Sequence, residues 1–169
     1  KLRCERHVRI KILKKQGLRW ADATIKLYDE GGDSETVNGL KASAYNLENG
    51  KIVETKMSKD NVFRERYNRF FKLQKFTLPA VRVGSVIEYS YTISSDLFTY
   101  FPNWEFQKSI PVVHSEYWAM IPEFFIYEKY MQGYLTAANY EVVNKFRSSH
   151  NANAHHWVMK HVPAFKAEP

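Results

Sequence analysis

The 169-residue sequence has few of the residues that staple, cradle or anchor other proteins. It holds one cysteine, Cys4, so no disulfide can form within it. Its seven glycines are dispersed, and Gly31-Gly32 is not followed by the Lys-Ser/Thr of a phosphate-cradling loop. There is no Gly-x-Ser-x-Gly nucleophile elbow and no His-Glu-x-x-His helix, so two common hydrolase devices are excluded. No apolar run approaches the roughly 20 residues of a membrane-spanning helix. Heptads, internal repeats and low-complexity tracts are also missing, which removes coiled coils and solenoids. The chain opens on "KLRCERHV", without an initiator Met or a signal peptide, and is expected to be a fragment of something longer.

What the sequence does have is aromatics and alternation. Hydrophobic residues make up 44% and aromatics 15%, enough for a packed core and suited to pleated surfaces. In "HVRIKIL" Val8, Ile10 and Ile12 share one face, with Arg9 and Lys11 on the other. "ATIKLY" repeats the pattern, and "KKQGL" between them reads as a turn at Gly17. Asn49-Gly50 divides two alternating runs and tolerates the positive φ of a type I′ turn, which predicts a hairpin. "SKDNVFRERYNRFF" is the one candidate helix, capped by Ser58 or Asp60 and one or two turns long, with a strand resuming near Phe71. Pro79 and Gly84 then break the chain before "SVIEYSYTIS". There Ile87, Tyr89, Tyr91 and Ile93 form an apolar face, and Val86, Glu88, Ser90 and Thr92 a mainly polar one. "SSDLFTYFPNWEFQKSIPV" is irregular, "HSEYWAMIPEFFIYEKYMQG" reads as two extended runs around Pro122, "RSSHNANAH" as a polar turn, and "HHWVMKHVPAF" as a closing strand. The sum is an all-β chain, an antiparallel β-sandwich of about eight to ten strands with at most one short helix, forming one domain over 1–169.

Candidate chemistry is sparse. The net charge of +7 is scattered among apolar and acidic residues, with no nucleic-acid recognition motif beside it, so a solvated basic face is expected and no nucleic-acid partner. His150, His155, His156 and His161 gather near the C-terminus, but His155 and His156 are adjacent and would point to opposite faces of a strand, which hinders a shared metal. Cys4 has no activating neighbours in sequence. Glu88 lies on a polar strand face with no second carboxylate at a telling spacing, and reads as an exposed or cross-strand ion-paired side chain. No catalytic residue, cofactor or metal is assigned. The aromatic cluster from Phe98 to Phe106 is the remaining candidate for binding, with Tyr100, Trp104 and Phe106 as its rings, weighed against an ordinary place in the core.

The segments "VRIKILKKQGL", "LKASAYNLENGKIVETK", "KFTLPAVRVGSVIEYSYTISS", "WEFQKSIPVVHSEYWAMIPEFFIY" and "VPAFKAEP" together resemble domain of unknown function family 3857, over about Val8 to Glu168. The resemblance implies a β-sandwich lying N-terminal to a transglutaminase-like core in Gram-negative envelope proteins. It also implies that any Cys-His-Asp set belongs to the following domain. The expected role is therefore a non-enzymatic accessory module, periplasmic or at the outer-membrane surface, supporting or delivering ligand to the adjoining transglutaminase-like domain of the same chain. No membrane insertion is expected. The alternative is a glycan-binding module working through the exposed aromatic cluster, so a polysaccharide or protein ligand is the other partner considered.

Overall fold

The computed structural model describes residues 1–30, 33–97, 101–133, 135, 139–146 and 151–166. Contacts within the chain group into two compact units, Lys1–Phe101 and Pro102–Pro169, where the sequence is read as one domain. Eleven strands form among the described residues, and they pair antiparallel throughout. The chain is all-β as expected; the described residues contain no α-helix.

The first unit holds β1 (Leu2–Lys11), β2 (Asp22–Glu30), β3 (Asp33–Ser34), β4 (Thr36–Glu48), β5 (Lys51–Lys56), β6 (Val62–Arg66), β7 (Phe71–Thr77) and β8 (Val86–Ser95). They make two four-stranded sheets, β1-β8-β4-β5 and β3-β2-β7-β6. The side-chain period of two puts every second residue inside. Ala42, Ala44 and Ile87 from one sheet, with Ile12 just past β1, meet Ile25, Leu27 and Phe76 from the other, with Leu78 just past β7, in a single buried cluster. Phe76 meets Tyr89 edge to face across the layers, with centroids 5.3 Å apart. Two sheets sharing one apolar core are a sandwich.

Local signals explain most of the connections. Asn49 and Gly50 both adopt positive φ, 49° and 77°, and close the β4–β5 hairpin as a type I′ pair should. The candidate helix shrinks to one 3-10 turn, Lys59–Asn61, followed directly by β6. Asn61 Oδ1 accepts from the Ser58 amide at 3.3 Å and its hydroxyl at 2.9 Å, which holds the turn; strand pairing with β7 then takes over. The turn expected at Gly17 is longer than its signal, a 3-10 segment over Lys15–Ala21.

The break between β7 and β8 is a fixed loop. Gly84 has φ 97°, a conformation that strains any residue with a Cβ. The buried Ser85 hydroxyl accepts from the Arg82 amide at 2.9 Å and donates to Asn46 Oδ1 at 2.5 Å. The Asn46 amide in turn donates to the Ala80 carbonyl at 3.0 Å. A buried Asn and Ser therefore satisfy one another and pin the loop to β4.

The second unit is a three-stranded sheet, β10-β11-β9, made from β9 (Val112–Pro122), β10 (Asn139–Phe146) and β11 (Asn151–Val162). Two expectations fail here. The second extended run after Pro122 is not a strand: Phe125 N–H turns back onto the Pro122 carbonyl at 2.9 Å, and residues 126–133 are irregular. The polar stretch expected as a turn before His155 is already β11 from Asn151 onward; Ala152 and Ala154 are buried opposite Pro122 and Met120, a packing that its polar composition concealed.

Candidate functional site

Three constellations gather side chains with chemistry. On the outward face of the first sheet, β8 places Glu88 directly opposite Arg9 of β1. His7 Nε2 lies 2.7 Å from Glu88 Oε1, and the Arg9 guanidinium donates through Nε at 3.0 Å and Nη2 at 2.8 Å to Oε2. The His7 hydrogen bond first, then Arg9, holds the Glu88 carboxyl below the usual range against a desolvation that pushes the other way. A carboxylate so engaged is the cross-strand ion pair expected from its polar face.

Cys4 sits on the inward side of β1, half-buried. Burial pushes its thiol up, against the pull of Arg6. A raised thiol is a poor nucleophile.

The second unit carries the richest arrangement, because adjacent residues of β11 serve opposite faces. On one face Trp157 pairs with Tyr117 of β9 and Tyr140 of β10. The rings form a continuous row. Trp104 stacks on Tyr117 at 5.3 Å, Tyr117 on Trp157 at 5.6 Å, and Trp157 on Tyr140 at 5.2 Å. His155 joins the far end, 5.7 Å from Trp157 and hydrogen-bonded to the Tyr140 hydroxyl at 3.1 Å. Burial first and Lys129 second keep the His155 imidazole below its ordinary value.

The binding candidates belong to this row or to its edge. Trp104 is half-buried, and its indole N–H donates to the buried Ser115 hydroxyl at 3.1 Å. Phe106 is also half-buried and meets Trp104 edge-on at 6.4 Å. Tyr100 lies outside the described residues, as does His150.

On the opposite face His156 bridges three strands. Its Nε2 meets Glu116 Oε1 at 2.9 Å, and its Nδ1 meets Glu141 Oε1 at 2.8 Å. His114 reaches Glu116 Oε2 at 3.1 Å, the Trp118 indole donates to Oε1 at 2.7 Å, and the Trp118 ring lies on His156 at 3.6 Å. The Glu141 hydrogen bond first, with Glu116, raises the His156 pKa; His114 first, then Trp118, lowers that of Glu116. His155 and His156 thus point apart, as their adjacency requires. Among the described residues no group of three or more His, Cys, Asp and Glu is arranged to hold a metal ion. The sequence flagged the histidines but not Glu116 or Glu141, whose partnership needs the β9-β11-β10 register.

The model of the family described as "Domain of Unknown Function with solved-structure structure (DUF3857)" matches residues 1–166, and the chain belongs to that family. No curated protein sequence matches it. Among solved structures it is similar to one described as that of "a putative protease" from Parabacteroides distasonis ATCC 8503, with TM-score 0.66 and 16% identity over 98% of this chain. At that identity the likeness shows the fold. The chain spans 33% of the length of that structure's chain.

Proposed function

From membership of that family we propose that this chain is a non-catalytic accessory module of a longer polypeptide. It docks on and supports an adjoining transglutaminase- or protease-like domain, in an extracytoplasmic setting. One observation carries the reading. The connection after β9 exposes Ile126 at 95% and Tyr130 at 83%, with Phe124 and Met131 also exposed. Apolar side chains concentrated in one connection mark a surface that a partner covers. The similar structure's chain, three times as long, supports a partner in the same polypeptide. The candidate acids and bases support the non-catalytic part: Glu88, Glu116 and His156 are each engaged by partners on neighbouring strands. The glycan-binding alternative gains nothing from Trp104 and Phe106, whose rings are half-buried in the aromatic row.

The test of the non-catalytic part is an assay of this chain alone for peptide hydrolysis and for amide crosslinking. No turnover above a denatured control is expected. Turnover that Glu88→Gln or His156→Gln abolishes would overturn it.

A further inference from the structure

A second exposed apolar surface lies at one end of the sandwich, and its chemistry differs from that of the connection after β9. Three connections end there: the segment after β1, the β4–β5 hairpin tip, and the loop between β7 and β8. Each carries exposed aliphatic side chains. Leu13 is 73% exposed, Leu47 70% and Ile52 76%, and Leu18 and Val83 are also exposed. Leu47 and Ile52 are direct partners across the hairpin, so they project from the same face.

The three connections are tied into one tip. Gly84 N–H donates to the Ile12 carbonyl at 2.8 Å and Ile12 N–H to the Ser85 carbonyl at 2.9 Å, which joins the first to the third. Arg82 Nη2 reaches Glu48 at 2.9 Å and the Leu47 carbonyl at 3.5 Å, which joins the third to the hairpin. The Asn46–Ser85–Ala80 network beneath them keeps the loop in place.

Cations ring this tip. Lys11, Lys14, Lys15, Arg19, Lys51 and Arg82 are all exposed. Lys11 Nζ folds onto the Gly84 carbonyl at 2.6 Å. Of the nearby acids, Glu48 is paired with Arg82, while Asp22 and Glu54, bonded to the Thr77 hydroxyl at 2.7 Å and the Ser43 hydroxyl at 2.8 Å, keep their charge and leave the cations in excess. We propose that the tip formed by Leu13, Leu47, Ile52 and Val83 within this cationic ring adsorbs to an anionic lipid surface.

Two features favour lipid over a protein partner. The exposed apolar side chains at the tip are aliphatic, whereas protein hot spots draw on Trp and Tyr and under-use Leu and Val. The cations are long, and can reach headgroups while aliphatic neighbours sink into the acyl boundary. Adsorption of this kind spans nothing, and no helix among the described residues is long and apolar enough to cross a membrane.

The test is co-sedimentation of the whole chain with phosphatidylcholine vesicles, with and without about one third phosphatidylglycerol, at low and at raised salt. Binding to the anionic vesicles alone, weakened by salt, is expected. Lys14→Glu with Lys15→Glu should weaken it by at least about fivefold for each charge removed. Leu47→Ser with Ile52→Ser should weaken it on the order of tenfold or more, with the melting temperature little changed because both side chains are already in water. Lys41→Glu with Lys56→Glu makes the same charge change elsewhere on the outward face and should be much milder. Equal loss in that control would assign the attraction to the overall charge of +7 and overturn the tip. Absence of sedimentation at low salt would overturn the lipid and leave the tip to a protein partner. Equal binding to neutral vesicles would overturn the cationic ring.

Discussion

The two units solve the same problem, a sheet with two faces, by different means. In Lys1–Phe101 each four-stranded sheet turns one face to the other, and a closed apolar cluster forms between them around Ile87, Phe76 and Ala44. In Pro102–Pro169 a three-stranded sheet has rings and histidines on its faces: the Trp104–Tyr117–Trp157–Tyr140 row on one, the His114–Glu116–His156–Glu141 chain on the other. Three strands are close to the minimum for an independently stable sheet. Large stacked rings supply burial where a second sheet does not, and add pairwise stacking of about 0.5–1.5 kcal/mol each. The first unit rests on volume filled, the second on rings and charges in register.

The largest effect that can sharpen this contrast comes from removing the centre of each. Trp157→Ala takes a ring from the middle of the row and should cost about 3–5 kcal/mol; Ile87→Ala should cost about 2–5 kcal/mol in the sandwich. Near-ultraviolet circular dichroism separates them, because Trp104, Trp118 and Trp157 all lie in the second unit and only Trp20 in the first. Loss of the aromatic signal at low urea is expected for the first substitution. Equal loss in Ile87→Ala would break the distinction.

Next comes Ser85→Ala. It strips a partner from buried Asn46 and from the Arg82 amide, and should cost about 1–3 kcal/mol in urea unfolding. An unchanged midpoint would mean that the loop is held by its glycine and proline alone. Gly50→Ala, at φ 77°, should cost about 1 kcal/mol by the same measurement, with the hairpin's cross-strand contacts preserved in nuclear Overhauser spectra.

The smallest effects are in pH, and they run in opposite directions in the two units. Glu88 has a depressed folded pKa, so its contribution is present above the unfolded carboxyl value and is lost as pH falls through the folded one. The melting-temperature gap between wild type and Glu88→Gln should be full at neutral pH and begin to close only below the unfolded carboxyl value of about 4.3. His156 has a raised folded pKa, so its contribution is complete below about pH 6.5 and disappears as pH rises through the folded value. The gap to His156→Gln should therefore be widest in mild acid, while Glu116, itself held low, remains charged. Parallel pH profiles for the two variants would contradict these assignments.

Much of the first unit was legible in the sequence, because alternation reports a half-buried strand wherever one face is wet. β1, β8 and the Asn49-Gly50 hairpin carry that signal, and so does the outward position of Glu88. The second unit was harder to read. Ala152 and Ala154 are buried yet small, and sit among Asn and His, so the start of β11 resembled a turn. Phe124, Ile126 and Tyr130 have strand composition, yet they lie outside the strands of the described residues and are exposed. Composition reports what a residue could pack against, and partners on neighbouring strands are fixed only by register. For the same reason the Glu116–His156–Glu141 chain left no local trace, and Trp104 gave no sign of its place over Tyr117.

The most direct test of the accessory reading is calorimetric titration of this chain with the separately expressed part of the polypeptide encoded after Pro169. Binding at micromolar affinity or tighter, about −8 kcal/mol, is predicted, and Ile126→Ser with Tyr130→Ser should abolish it. No heat of binding, affinity indifferent to those two substitutions, or a reading frame that stops at Pro169 would contradict it.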